Sequence, residues 1–98
     1  MYIIRDCFHL LFGRFKDAKA LLDEAMQKGM MPDAAFNKVY TDFTGSSYRL
    51  IFEGGYDTLA DYEKSMAGGM AKPEWQEWYG RFKELVKSSH REILKQVI

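Results

Sequence analysis

Apolar and polar residues alternate from Tyr2 to Phe12, which predicts a strand whose two faces differ. Tyr2, Ile4, Asp6, Phe8, Leu10 and Phe12 fall on one face, and Ile3, Arg5, Cys7, His9 and Leu11 on the other. The first face is the more apolar and is assigned to the covering helices. Gly13 ends the run, and Phe15, Ala18, Leu22, Ala25 and Met26 then recur at helical spacing, with Gly29 placed as the C-terminal cap. Met31-Pro32-Asp33 reads as a turn. Two alternating runs follow, Phe36–Phe43 and Tyr48–Phe52, joined by Gly45-Ser46-Ser47 as a hairpin loop, with Tyr48, Leu50 and Phe52 sharing a face. Asp57 is the expected N-cap of a helical stretch over Leu59–Val86, which Gly68-Gly69 breaks and Pro73 restarts. Trp75, Trp78, Tyr79, Phe82, Leu85 and Val86 form the strongest amphipathic stripe in the chain. Ser88-Ser89 is expected to close that helix, and the mixed run Arg91–Ile98 to supply a last strand at an edge or against a partner.

The resulting order, β-α-β-β-α-β, is that of a ferredoxin-like α+β fold: a four-stranded antiparallel sheet with helices on one face. With 98 residues and no linker or repeat, positions 1–98 are expected to form a single domain. Apolar residues make up 47% and aromatics 15%, more than one thin core layer absorbs, so part of that surface is expected to meet a second subunit or a ligand. Fourteen basic residues balance fourteen acidic ones, and this neutrality gives no field to attract nucleic acid or an anionic membrane. The only cysteine, Cys7, excludes an internal disulfide and a multi-cysteine metal site, which fits a reducing cytoplasm. Arg5, Asp6 and His9 interrupt the N-terminal apolar run, which therefore reads as a strand and not a signal peptide. No apolar stretch approaches the ~20 residues of a membrane span.

The strand ending at Gly13 before a Phe15-bearing helix, the run FEGGYDTLADYEKSM, and PEWQEWYGRF followed by a strand opening HREI together resemble the dimeric α+β barrel superfamily, which includes antibiotic-biosynthesis-type monooxygenases and NIPSNAP-like proteins. The resemblance covers nearly the whole chain. It implies a homodimer in which two ferredoxin-like units pair sheet to sheet, with Ile3, Arg5, Cys7, His9 and Leu11 lining the barrel. It also implies, for the oxygenase branch, a pocket between sheet and helices. Haem-degrading relatives use an Asn on the first strand with a Trp and a His on the later helix. Asp6 takes the strand position here and Trp75 or Trp78 could supply the indole, but that helix carries no histidine. Neither haem nor any other cofactor is expected.

Asp6 is the one ionisable residue on the apolar face of its strand. Burial there would raise its pKa and make it a candidate catalytic base, whereas pairing with an arginine would make it structural. Tyr62, Met66, Met70, Trp75, Trp78 and Tyr79, with Phe8 opposite, form an aromatic and thioether cluster around Gly68-Gly69. They are either core or the binding wall for an aromatic ligand, with the glycines as a gate. Cys7 has Arg5 and His9 two residues to either side on its face, and reads as a packed small residue or a nucleophile. His9 and His90 lack a carboxylate at ligand spacing, so no metal site is expected. Two functions remain open: a cofactor-independent, monooxygenase-like enzyme acting on an aromatic or polyketide-like substrate with Asp6 as base, and a non-catalytic homodimeric binding or assembly module.

Overall fold

In the computed structural model, which describes residues 1–98, the chain runs β1 (Tyr2–Leu10), α1 (Phe15–Gln27), β2 (Phe36–Thr41), β3 (Arg49–Tyr56), α2 (Leu59–Met70), α3 (Pro73–Lys83) and β4 (Val86–Lys95). The four strands form one antiparallel sheet in the order β2-β3-β1-β4, the ferredoxin-like α+β arrangement. β1 pairs with β3 on one side, Cys7 opposite Ile51, and with β4 on the other, Cys7 opposite His90. Because strand side chains alternate, this register fixes both faces at once. Phe8 and Leu10 of β1 join Leu50 and Phe52 of β3, Ala18 and Ala25 of α1, and Trp78, Phe82 and Leu85 in the main core. The other face carries Ile3, Arg5, Cys7 and His9, as the alternation predicts.

The helices are held by contacts that match their sequence signals. Gly29, at φ 66°, ends α1 in a Schellman motif: the Met30 amide donates to the Ala25 carbonyl at 2.9 Å and the Gly29 amide to that of Met26 at 3.2 Å. Pro73 occupies the first turn of α3. Trp78 is buried, its indole stacked on Phe82 at 5.1 Å, and its Nε1–H donates to the Leu21 carbonyl at 2.7 Å. The same two helices are tied at the surface by Arg81, whose Nη1 donates to Glu24 Oε1 at 3.1 Å while a second bond runs from Nη2 to Oε2.

Four local expectations shift. The helix expected to reach Val86 ends at Lys83, where the Leu85 amide turns back to the Phe82 carbonyl and the Leu85 carbonyl accepts from the Leu11 amide, so β4 starts at Val86 and not Arg91. Phe12, assigned to the inner face, lies past the end of β1 and is exposed, its edge against Tyr48. Thr58 and not Asp57 caps α2, its Oγ1 accepting from the Asp61 amide at 3.1 Å. Gly68 and Gly69 lie within α2, which ends only after Met70, because even a pair of glycines, at about 1 kcal/mol each relative to alanine, weakens a helix without removing its backbone donors as proline does.

Trp78→Ala is expected to cost about 3–5 kcal/mol in denaturant titration, while Trp78→Phe, which keeps a ring on Phe82 but loses the bond to Leu21 and part of the buried indole volume, costs distinctly less. A second expectation concerns pH. The Arg81 hydrogen bonds hold the Glu24 carboxyl down from 4.5 to about 2, with Lys28 adding to the effect. A depressed folded pKa stabilises the fold above the unfolded value and is lost as pH falls from about 4.5 toward 2. Arg81→Ala should therefore flatten the acid limb of stability against pH in that window, and high salt should reduce the difference because both groups are partly exposed.

Candidate functional site

α2 is the loosest-packed helix of the three: it has no fully buried residue, and only Tyr62, Ser65, Met66 and Gly69 are half-covered. Tyr62 packs edge-on against the buried Tyr56 of β3, with ring centroids 5.4 Å apart. From the sheet below, Arg91 of β4 reaches both neighbours, its Nε donating to Asp6 Oδ1 at 2.5 Å and its Nη1 to Tyr62 Oη at 2.6 Å. Asp6 and Arg91 are direct cross-strand partners, so the ladder itself brings them together. The Asp6 bond holds the Arg91 guanidinium above its ordinary pKa, and burial pushes the Tyr62 hydroxyl up as the largest of several influences. Asp6 is thus one corner of a three-residue network and not an isolated carboxyl.

Clefts lie on both flanks of α2. One, of about 130 Å³, is lined by Met30, Met31, Pro32, Met66, Met70 and Trp75 among others. The other, wider and more polar at about 650 Å³, runs along Tyr56, Asp57, Asp61 and Lys64, and the two share Ser65, Gly69 and Lys72. A third hollow of about 50 Å³ holds Asp6, Ile4 and Phe52 and shares Met31 and Pro32 with the methionine-lined cleft. The carboxylate therefore adjoins the apolar cleft through the turn after α1.

The structure divides the expected binding residues into two groups. Met66, Met70 and Trp75 line the cleft, Tyr79 stacks on Trp75 at 4.9 Å, and Tyr62 joins the polar network. Phe8 and Trp78 instead pack in the core, Phe8 edge-on to Phe52 at 5.5 Å and to Phe82 at 5.1 Å. Sequence reasoning missed Arg91, Met30 and Met31. Arg91 could be paired with Asp6 only once the true start of β4 was known, whereas the two methionines beside Pro32 were visible as a signal. On the opposite face, Cys7 is buried with its Sγ 3.9 Å from His9 Nε2, and the rings of His9 and His90 lie 5.8 Å apart. Beside them Arg49 is clamped by Asp42, Nε to Oδ1 at 3.0 Å and Nη2 to the same oxygen at 2.6 Å.

No known family's sequence profile matches the chain, and no curated protein matches it. Its likeness is to solved structures. A protein of Agrobacterium tumefaciens superposes with a TM-score of 0.90 at 14% identity, over 99% of this chain and 94% of that one. An uncharacterized NIPSNAP domain protein from Burkholderia xenovorans gives 0.85 at 13%, over 99% and 95%. An antibiotic biosynthesis monooxygenase gives 0.75 at 9%, over the full length of both. At such identities the likeness establishes the fold, a ferredoxin-like α+β domain of the kind found in NIPSNAP family proteins and antibiotic biosynthesis monooxygenases.

Asp6→Asn is expected to lower stability at neutral pH by about 0.5–1 kcal/mol, the scale of a partly exposed ion pair, by leaving Arg91 without its carboxylate. Denaturant titration checks this. A variant as stable as the parent would mean that desolvation of the carboxyl outweighs the pair.

Proposed function

We propose that this chain is a homodimeric small-molecule-binding protein whose ligand, an aromatic or polyketide-like molecule, lodges in the cleft between α2, the start of α3 and the turn after α1. The observation that carries the reading is a methionine- and tryptophan-lined cleft along the flank of a helix that contributes nothing to the buried core, joined through Met31 and Pro32 to the hollow that holds Asp6 of the Asp6–Arg91–Tyr62 network. Thioether and indole groups adapt to a flat apolar body, and a few convergent polar groups orient it, which is the usual build of a small-molecule site. In the monooxygenase-like form of this function no cofactor is used. Arg91 shifts its guanidinium from Asp6 to the ligand's oxygen, Asp6 accepts the proton of a phenol or enol, and the resulting electron-rich anion supplies the electrons that reduce dioxygen, one oxygen atom staying on the ring carbon as a carbonyl and the other leaving as water. Fold-level analogy with the antibiotic biosynthesis monooxygenase supports that form. The closed Asp6–Arg91 pair favours the second form, a binding module without turnover. The dimer rests on the open sheet face, where Ile3, Cys7 and Ile51 are joined by the half-exposed Tyr40 and Leu94.

A panel of hydroxylated naphthoquinones and phenolic acids, titrated in air, tests this through oxygen uptake and through quenching of tryptophan fluorescence, to which Trp75 contributes from the cleft and Trp78 from the core. Saturable quenching weakened roughly tenfold or more by Gly69→Phe, which fills the cleft, is the expected result, and no quenching by any member of the panel would remove the ligand site. Oxygen uptake abolished by Asp6→Asn with binding retained selects the enzyme; binding without uptake in the parent selects the module. Sedimentation is expected to give a dimer, and a monomer at micromolar concentration would end the sheet-to-sheet pairing.

A further inference from the structure

The open face of the sheet, on the other side from the α2 cleft and the face on which the proposed dimer would pair, brings together three side chains whose donor chemistry packing alone does not use. Cys7 Sγ and one nitrogen each of His9 and His90 all lie within 4.8 Å of one another. We propose that they form a binding site for a thiolate- and imidazole-preferring late first-row cation, zinc in the first instance.

The sheet builds the site. Cys7 and His9 stand two residues apart on β1 and so project to one face, and His90 is the direct partner of Cys7 in the β1–β4 ladder. β1 is hydrogen-bonded on both sides, which holds two of the three ligands on the best-anchored strand of the fold. Tetrahedral zinc, with bonds of about 2.3 Å to sulfur and 2.0–2.1 Å to nitrogen, places its ligand atoms roughly 3.3–3.6 Å apart. The 3.9 Å between Cys7 Sγ and His9 Nε2 needs to close by only a few tenths of an ångström, and rotation of the exposed His90 side chain brings in the third ligand.

Charge and donor type point the same way. Of the cations on this face, Arg5 lies 3.4 Å from Glu53 and 3.9 Å from Glu92, Arg49 is clamped by Asp42, and Lys38, opposite Glu53 in the ladder, lies over the Phe36 ring. Three cationic side chains thus stand against three carboxylates, and the face carries no net positive charge to oppose a divalent cation. Glu92 Oε1 stands 3.9 Å from His90 Nε2, too far for a hydrogen bond, but a side-chain shift of about 1 Å would let it accept that ring proton and leave Nδ1 for the metal, the carboxylate–histidine arrangement common around bound zinc. Sulfur and imidazole together exclude magnesium and calcium, which take oxygen. Three protein ligands leave a fourth position for water or an exchangeable group, the pattern of catalytic and not structural zinc.

The site is independent of the α2 cleft, so the failure of one reading leaves the other standing. The test is titration of the reduced full-length chain with cobalt(II), followed by displacement with zinc. One cobalt per chain is expected, with a thiolate-to-cobalt charge-transfer band and the intense visible absorption of a four-coordinate ion, both lost on adding zinc. His90→Ala, at an exposed position that leaves the fold intact, should weaken binding roughly tenfold or more at unchanged circular dichroism. Cys7→Ala should abolish the charge-transfer band. A weak six-coordinate spectrum from the parent, or binding by His90→Ala as tight as the parent's, overturns the proposal, whether or not the buried Cys7 variant folds.

Discussion

β1 is hydrogen-bonded along both edges, and its register against β3 and β4 decides everything placed on either side of the sheet. A slip of one residue would turn Phe8 and Leu10 out of the core and bring Cys7 and His9 under the helices. The same register sets Asp6 opposite Arg91 and Cys7 opposite His90. Core, polar network and Cys-His-His group are therefore three consequences of one pairing. The large rings locked over Phe8, above all Phe82 and Phe52, make the slipped alternatives costly.

The helical layer is uneven in a way that matters for function. α1 fits closely against the sheet because Ala18 and Ala25 present small buried faces, and α3 is pinned by Trp78. α2 has neither device, and its last turns contain Gly68 and Gly69, each costing a helix about 0.5–1 kcal/mol relative to alanine. Its C-terminal half is the natural low-stability end of the fold. A ligand entering along its flank would have the least packing to disturb.

Half-buried elements were legible in the sequence because burial on one side imprints a period. β1 showed its two faces, α1 its stripe and its Gly29 cap, α3 its row of aromatics, and the order of periods was enough for the fold. β4 was legible only in part, since it is exposed along nearly all its length and VKSSHRE carries no alternation of apolar and polar residues. That one gap hid the site chemistry. Asp6 was singled out from its place on β1, but its partner Arg91 depended on the register of β4. Cys7 and His9 could be put on one face from their spacing alone, whereas the arrival of His90 beside them could not be read from distance along the chain.

β4 is also a free edge. Ten residues of strand lie along the outside of the sheet with one row of backbone donors and acceptors unpaired, a template on which a foreign strand could grow. Ile93 and Leu94, both about half exposed, would reward such an addition, but Arg91, Glu92 and Lys95 flank them closely, and any second chain aligning there would have to desolvate or oppose those charges. The residues that disguise the strand in the sequence thus serve as its guard against aggregation.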